Sequence, residues 1–169
     1  MSANLILMCG IPGSGKTTFA KKYCQEHKDI IYISRDEIRF GLLQPEDDYF
    51  AHEGLVYHKF IQAVAAALNE NKTVIADATF LNKGSRQRFL EVVNTYVTVP
   101  YDCYAFVMQT PIEICLERNS SRKGRANVPE NTIRNMFNKF SNPSVDTENF
   151  KMIYFITENN EIGFIQKSF

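Results

Sequence analysis

A glycine-rich segment near the start of the chain carries residue types that bind phosphate groups. Residues 10–17 read Gly-Ile-Pro-Gly-Ser-Gly-Lys-Thr and follow an apolar run at residues 5–9. Glycines at this spacing let backbone N–H groups turn inward, and the positive end of a following helix favours a bound polyphosphate. Lys16 is then placed to reach the outer phosphates, and the Thr17 hydroxyl is placed to ligate Mg²⁺. The segment therefore predicts a phosphate loop of the Walker A type.

The predicted nucleotide site covers most of this loop and the start of the next helix. We expect ATP as the donor and Mg²⁺ as its metal ion, because the ion neutralises charge that develops on the outer phosphates during transfer. A glycine-rich turn between a strand and a helix could also be plain loop punctuation. The agreement of strand, spacing, Lys-Thr pair and amphipathic helix favours the nucleotide site instead. The residues expected to contact the nucleotide are Gly10, Gly13, Ser14, Gly15, Lys16, Thr17 and Thr18.

An acidic residue follows the second predicted strand. Residues 34–37 read Ser-Arg-Asp-Glu after the strand at 30–33, so a helix should begin here with Ser34 as its cap in a capping box. Asp36 then lies in the first turn, where the helix dipole alone would stabilise it. Ligands of open α/β sheets bind outside the carboxyl ends of the strands, so Asp36 could also accept the proton of an attacking hydroxyl. Arg39, one turn later, could contact an anionic acceptor or be an ordinary surface arginine.

A second acidic residue follows the third predicted strand. Asp77 comes directly after the strand at residues 73–76. In phosphate-loop proteins an acid in this place supports the Mg²⁺ shell or orients the substrate, and the sequence does not separate these roles. Aspartate at a strand end is also a common turn residue. Thr79 and Asn82 are weaker candidates for contacts to the acceptor.

A basic segment lies between the fourth and fifth predicted strands. Between Glu117 and Glu130 it contains no acid and four cations: Arg118, Arg122, Lys123 and Arg125. Arg118 and Arg122 are four residues apart and are expected to share a helix face, although cations at a helix C-terminus are ordinarily explained by the dipole. Residues 123–125 have the composition of a mobile loop, and Pro129 suits the first position of the next helix. We predict a lid that brings arginine onto the polyphosphate and expels water on closing.

Short apolar runs alternate with helical patterns along the chain. Strands are predicted at residues 5–9, 30–33, 73–76, 103–108 and 152–156. Apolar residues repeat at helical spacing over residues 56–68 and 133–140. This alternation predicts a three-layer α/β fold with a five-stranded parallel sheet covered on both faces. With the phosphate loop it fits the P-loop NTPase fold, and the resemblance described below implies its adenylate-kinase-like form. A turn at residues 158–161 and a short edge strand are predicted after it.

Length and composition are those of a single domain over residues 1–169. The 19 basic and 19 acidic side chains balance, so there is no global field for wrapping nucleic acid, and a small acceptor or a strand end suits the chain better. The four cysteines are scattered, without Cys-x-x-Cys spacing or clustered histidine, so neither a zinc site nor a disulfide framework is indicated. No stretch approaches the roughly 20 apolar residues of a membrane span, and no signal segment is recognisable. We expect a cytoplasmic protein without membrane contact or an evident obligate protein partner.

Taken together, the motifs resemble the kinase domain of bacteriophage-type polynucleotide 5′-hydroxyl kinases over roughly residues 3–141. The matching segments are the phosphate loop at 10–18, Ser-Arg-Asp-Glu-Ile-Arg at 34–39, Asp-Ala-Thr-Phe-Leu-Asn at 77–82 and Arg-Asn-Ser-Ser-Arg-Lys-Gly-Arg-Ala-Asn-Val-Pro at 118–129. The resemblance implies that Asp36 is the general base and that Arg39 grips a phosphate of the acceptor strand. It also implies that Arg122 contacts the donor phosphates, with Arg118 beside it toward the nucleotide.

The sequence departs from the family pattern in three places. It has one residue more after Asp77, so either Ala78 or Thr79 takes the place of the family's threonine. It has one residue more in the basic segment, which leaves the match of Arg125 open. The phage enzymes also carry a phosphatase domain with an Asp-x-Asp-Gly-Thr motif, which is missing here.

Two other functions fit part of the pattern. A small-metabolite kinase is compatible with the balanced charge, and looser forms of the Arg-Asp motif and the lid occur in such kinases. A nucleotide switch that acts by binding would need an Asn-Lys-x-Asp motif, but the Asn-Lys pairs at 71–72 and 82–83 lack the acid. We therefore expect transfer of the γ-phosphoryl group of ATP to a hydroxyl, best the 5′-hydroxyl of a DNA or RNA end or of a nucleotide. The residues expected to carry the transfer are Lys16, Asp36 and Arg122, and those expected at the acceptor are Asp36, Arg39, Asp77 and Thr79.

Overall fold

Six strands and six α-helices alternate in the computed structural model, which describes residues 2–166. In chain order, strands β1 to β6 span Ala3–Cys9, Ile30–Ser34, Thr73–Asp77, Tyr101–Gln109, Met152–Thr157 and Ile162–Gln166. Helices α1 to α6 span Lys16–Glu26, Arg35–Leu42, Glu53–Asn69, Lys83–Tyr96, Ile112–Ser120 and Glu130–Lys139. A 3₁₀ turn at Gly124–Ala126 lies between α5 and α6.

The strands form one sheet in the order β2-β3-β1-β4-β5-β6. The first five are parallel to their neighbours, whereas β6 pairs antiparallel with β5. The prediction of a five-stranded sheet was therefore one strand short. The chain folds back after β5 through a turn in which the Thr157 N–H donates to the Glu161 carbonyl at 3.0 Å, and this turn brings the expected edge strand into the sheet.

Helices cover both faces of the sheet because the central strand is apolar on both sides. Leu5 and Leu7 of β1 are fully buried in the cluster that includes residues from α3 and α4. Ile6 and Met8 point the other way, into the cluster with Ala20 of α1. Side chains alternate across a strand, so an uninterrupted apolar run requires cover on each face. The predicted three-layer arrangement is confirmed.

Helix α2 begins where its sequence signal predicts, although only half of the predicted capping box forms. The Ser34 hydroxyl accepts a hydrogen bond from the Glu37 N–H at 3.3 Å. The Glu37 carboxylate pairs instead with Lys21 of α1 at 2.6 Å. The cap sets the direction of α2 as it leaves the carboxyl end of β2, next to the phosphate loop.

No helix within residues 2–166 is long and apolar enough to cross a lipid bilayer.

Candidate active site

The phosphate loop lies between the carboxyl end of β1 and the start of α1, pressed against α5. Gly13 and Gly15 have φ values of +83° and +94°, which side chains rarely adopt. A Cβ atom on Gly13 would lie 2.3 Å from the Cys115 carbonyl oxygen, so this position also lacks room for a side chain. The Thr110 hydroxyl donates to the Ser14 carbonyl at 2.8 Å. Protein contacts thus hold the loop in its curled form.

The Lys16 side chain lies along the phosphate loop. Its Nζ atom donates to the carbonyl oxygens of Gly10 at 2.8 Å and Ile11 at 3.0 Å. Burial lowers the pKa of Lys16 below its ordinary value, and the carboxylates of Asp77 and Asp36 act in the opposite direction. The ammonium group is therefore poorly hydrated, and a polyphosphate would be a strong partner for it.

Asp77 is tied to the phosphate loop by a hydroxyl group. Its Oδ2 atom accepts from the Thr17 hydroxyl at 2.7 Å and from the Tyr32 hydroxyl at 2.7 Å, and the residue is only 5% exposed. Burial raises the pKa of Tyr32, and the adjacent Asp77 charge raises it further, so Tyr32 remains a donor. The sequence identified Thr17 and Asp77 but missed Tyr32, which the residue pattern of β2 does not set apart.

The oxygen groups at this corner fit a magnesium ion. Mg²⁺ takes oxygen ligands and is usually bound by one or two carboxylates or hydroxyls together with substrate phosphates and water. The Thr17 hydroxyl and the Asp77 carboxylate provide such groups side by side. In the part of the chain that the structure describes, no three His, Cys, Asp or Glu side chains form a metal cluster. An ion here would therefore be held mainly by the nucleotide.

Asp36 lies in the first turn of α2 and lines the same cavity as Asp77. Its side chain is 61% exposed, and its Oδ1 atom accepts from the Tyr49 hydroxyl at 2.7 Å and from Arg39 Nε at 3.4 Å. Both contacts use one oxygen, so the carboxylate stays open to the cavity. Burial first, and then the Asp36 contact, raise the pKa of Tyr49 to about 12, so its hydroxyl stays protonated and donates to Asp36. No motif in the sequence pointed to Tyr49.

Arg39 lies beside Asp36, but its charge already has a partner. The side chain is only 4% exposed, and its guanidinium pairs with the Glu53 carboxylate and donates to the Tyr49 carbonyl at 3.2 Å. Burial opposes the charge of Arg39, but the hydrogen bond to Glu53 and the charges of the neighbouring Tyr49, Glu53 and Asp36 together outweigh burial and raise the pKa of Arg39. Arg35 pairs with the same carboxylate of Glu53. The sequence did not predict this convergence of two arginines on one acid at the start of α3.

The basic segment after α5 reaches the cavity with two of its arginines, Arg122 and Arg125. Arg118 lies in the last turn of α5, where its Nη1 atom would be 3.3 Å from a Cβ atom on Gly15. Arg122 lies beyond the end of α5, so the prediction that it shares a helix face with Arg118 was wrong. Pro129 is the cap residue before α6 rather than its first residue, because the chain is still extended at that point.

Two contacts fix the course of the basic segment. The buried Asn119 side chain donates to the Val128 carbonyl at 2.7 Å and accepts from the Val128 N–H at 3.0 Å, which joins the two ends of the segment. At its tip, Arg125 Nη1 donates to the carbonyls of Gln44 at 3.1 Å and Asp47 at 2.8 Å. The segment therefore touches the loop between α2 and α3.

These elements enclose one cavity of about 610 Å³. Ten of the residues predicted for the site line it: Gly13, Gly15, Lys16, Thr17, Thr18, Asp36, Arg39, Asp77, Thr79 and Arg122. The other three, Gly10, Ser14 and Arg118, lie beside the loop and outside the lining. Residues predicted for the donor site and residues predicted for the acceptor site thus line the same cavity.

A buried ion pair supports the segment that carries Thr79. Arg86 of α4 is fully buried and makes two hydrogen bonds with Glu148, at 2.7 and 2.9 Å. It also donates to the Phe80 carbonyl at 3.1 Å, next to Thr79, whose own carbonyl accepts from the Gly10 N–H at 3.1 Å. The sequence missed this pair, because Arg86 reads as a polar residue on a helix surface.

Comparison with known proteins identifies the family. Residues 5–143 match the AAA domain family. The L-seryl-tRNA(Sec) kinase of Methanococcus maripaludis is 26% identical over 147 residues, which are 82% of this chain and 53% of that protein. A protein of Autographa californica nuclear polyhedrosis virus, assigned as a bifunctional polynucleotide kinase/RNA ligase, is 26% identical over 156 residues, 82% of this chain and 21% of the viral protein. The chain thus spans about half or less of the length of these relatives.

Solved structures share the fold. A chain of the Pnkp1/Rnl/Hen1 RNA repair complex matches with a TM-score of 0.69 at 23% identity, over 82% of this chain and 43% of that chain. Chaetomium thermophilum Kti12 in complex with ADP-AlF3 matches with a TM-score of 0.66 at 20% identity, over 93% of this chain and 90% of that chain. The viral relative confirms the resemblance to polynucleotide kinases, and the chain of the repair complex shares the fold. The chain belongs to the AAA domain family.

Proposed function

We propose that this domain transfers the γ-phosphoryl group of ATP to the 5′-hydroxyl of a nucleic acid end or of a nucleotide. The observation that carries the proposal is the single cavity in which the phosphate loop, the Asp36 carboxylate and Arg122 all take part. Phosphoryl transfer needs the donor phosphates, a group to receive the proton and a counter-charge to be held close together. The cavity brings residues of all three kinds together.

The donor side of the cavity holds and polarises the phosphates. The curled loop and the start of α1 bind the polyphosphate, with Lys16 neutralising its outer charges. Thr17 and Asp77 provide the oxygen groups that would hold Mg²⁺, and the bound ion would neutralise further phosphate charge. Arg122 and, toward the nucleotide, Arg118 come from the basic segment, which acts as the lid.

The acceptor side supplies the proton acceptor. The attacking hydroxyl gives its proton to the Asp36 carboxylate as its oxygen forms a bond to the γ-phosphorus, while the bond to the β-phosphate oxygen breaks and ADP leaves. Tyr49 holds the carboxylate in place at 2.7 Å. The exposed Asp36 side chain leaves room for a hydroxyl to approach.

Nucleic acid is the favoured acceptor because two relatives are named for acting on it, one on a tRNA and one on polynucleotides. A small-metabolite acceptor is the second candidate, and one observation favours it. The Arg39 guanidinium is paired with Glu53, which reduces the positive charge available for an acceptor phosphate. Which of the two acceptors is correct can be tested directly.

The experiment is a transfer assay with ATP labelled on its γ-phosphate. The acceptors are a DNA and an RNA oligonucleotide with 5′-hydroxyl ends, the same two oligonucleotides with 5′-phosphate ends, and a panel of sugars and nucleosides. We expect label on the 5′-hydroxyl oligonucleotides and none on their 5′-phosphorylated counterparts, which lack the reacting group. Label confined to one uncharged metabolite would establish the second candidate instead.

A further inference from the structure

Three aromatic side chains surround the acceptor end of the cavity. Phe40 comes from α2, and Tyr49 and Phe50 come from the loop between α2 and α3. The rings of Tyr49 and Phe50 are 5.0 Å apart and nearly perpendicular, and those of Phe40 and Tyr49 are 6.1 Å apart at 67°. Rings in this arrangement meet edge to face, so within each pair at least one face of each ring stays uncovered by its partner. We call these three residues the aromatic platform.

Phe50 is the most exposed member of the platform, although its ring contacts Tyr49 and lies 5.8 Å from the guanidinium carbon of Arg39. Its side chain is 71% exposed, and Phe40 is 42% exposed. A single exposed apolar residue is ordinary, but two of them adjoining a polar cavity form a patch of the kind that binds ligands. Tyr49 differs, because it donates to Asp36 and its ring lies 4.3 Å from the guanidinium carbon of Arg39.

The platform adjoins Asp36, the proposed proton acceptor. Asp36 bonds to Tyr49, and Phe50 follows Tyr49 in the chain and contacts its ring. A molecule whose hydroxyl lies at Asp36 can therefore reach these rings with its neighbouring groups. In a nucleotide the base is attached to the same sugar as the 5′-hydroxyl, so the base lies one sugar ring away from the reacting atom.

We propose that the aromatic platform stacks the nucleobase of the nucleotide whose 5′-hydroxyl is phosphorylated, with Phe50 as its main contact. The inference rests on the proposed function and states which part of the acceptor the site recognises. Stacking tolerates any base, because every base has a π face. It contributes about 5- to 150-fold in binding per base in single-stranded complexes, which is enough to separate nucleotides from plain sugars.

The first test compares two acceptors that differ only in the base. One oligonucleotide has a normal 5′-terminal nucleotide, the other has an abasic 5′-terminal sugar, and both are made as DNA and as RNA. We expect wild-type kcat/KM to be at least about 5-fold higher for the base-bearing acceptor, and Phe50→Ala to remove that preference without changing the abasic rate. Phe164→Ala is the matched control, because Phe164 is 63% exposed on β6 and lies outside the cavity lining.

The second test reads stacking without catalysis. The chain contains no tryptophan, so Phe50→Trp introduces a single indole at the platform. We expect this variant to remain active and its fluorescence to be quenched when the base-bearing oligonucleotide is added, but not when the abasic one is. Quenching that is equal for the two oligonucleotides would contradict stacking.

The outcomes separate the two proposals. If the wild type phosphorylates both oligonucleotides equally well and Phe50→Ala changes neither rate, the platform does not bind the base, whereas 5′-hydroxyl transfer stands. If the wild type phosphorylates neither oligonucleotide, the proposed function fails and the platform inference fails with it. Loss of the base preference in Phe50→Ala, in DNA or in RNA, supports the inference.

Discussion

The donor end and the acceptor end of the cavity are built in different ways. The donor end is made by one continuous segment, residues 10–18, whose backbone conformation depends on glycines and on close contact with α5. The acceptor end is assembled from side chains of α2, the loop at 43–52 and the start of α3. The donor end depends on a backbone conformation that few other sequences can adopt. The acceptor end depends on individual side chains, which single substitutions can change without altering the backbone.

Charge is distributed just as unevenly between the two ends. At the donor end Lys16 has no ion-pair partner within 4.0 Å among the described residues. Two arginines of the basic segment add positive charge there, Arg118 beside Gly15 and Arg122 in the cavity lining. At the acceptor end Arg35 and Arg39 share the carboxylate of Glu53. The donor end is therefore suited to a polyanion, while at the proposed acceptor end we expect shape and stacking to contribute to selection as well as charge. The following substitutions test this contrast.

Removing the loop lysine should have the largest effect. We expect Lys16→Ala to reduce transfer by about 10³-fold or more, because the charge that develops on the phosphates loses its buried partner. The fold should survive, since Lys16 bonds only to two loop carbonyls that water can satisfy. Lys21→Ala, on the same helix but paired with Glu37 at the surface, is the control and should keep full activity. Normal turnover in Lys16→Ala would remove the phosphate loop from the mechanism.

Neutralising the proposed base should have the next largest effect. Asp36→Asn keeps the shape and the Tyr49 contact but loses basicity, so we expect kcat to fall by about 10²–10⁴-fold with ATP affinity nearly unchanged. Glu37→Gln, which neutralises the adjacent carboxylate, should have little effect. Thermal unfolding separates the alternatives. A variant that loses stability and keeps its rate per folded molecule would show that Asp36 only stabilises the start of α2.

The same contrast explains what the sequence could and could not predict. Residues 10–18 identify the donor end because one short segment contains both the glycines that determine the backbone conformation and the side chains expected to contact phosphate. Among the side chains that α2, the loop at 43–52 and α3 bring to the acceptor end, the sequence predicted only Asp36 and Arg39. The other members depend on how the loop at 43–52 folds back onto α2. Nothing local pairs Arg39 with Glu53, which is 14 residues away on another helix.

The fold shows the same division between local and distant signals. The parallel strands were predicted close to their observed limits, because buried strands are continuous apolar runs. Strand β6 is exposed along its whole length and contains Gly163, so its sequence lacks that pattern. The Arg86–Glu148 pair joins residues 62 positions apart, and neither the sequence around Arg86 nor that around Glu148 contains a motif that predicts the pair.

The effect of Arg39 should be intermediate and should depend on the acceptor. Arg39→Ala should lower kcat/KM by about 10- to 150-fold for a nucleotide bearing a 3′-phosphate, through loss of a charge-assisted contact, and should hardly change the rate with a plain nucleoside. Because Arg39 is buried against Glu53, the variant should also be less stable. Arg35→Ala, which removes the other arginine from Glu53, controls for that loss. Equal reductions on both acceptors would make Arg39 a structural residue.

The smallest effect should come from Tyr32, which contacts the donor end only through Asp77. Tyr32→Phe removes one of two hydroxyl donors to that carboxylate, while the Thr17 donor remains, so we expect the Mg²⁺ concentration for half-maximal transfer to rise by less than about 10-fold. Tyr23→Phe, a half-buried tyrosine outside the cavity, is the control.

The pH dependence of the Tyr32→Phe effect makes the test specific. Burial and the Asp77 charge raise the pKa of Tyr32, so its hydroxyl keeps its proton, and keeps donating, at pH values where a free tyrosine ionises. The ratio of wild-type to Tyr32→Phe rates should therefore stay constant from about pH 7 to about pH 10, the ordinary tyrosine pKa. A ratio that falls toward one below pH 10 would mean that Tyr32 loses its proton there and that Asp77 is held by Thr17 alone. Such a result would make the donor end as dependent on side-chain contacts as the acceptor end.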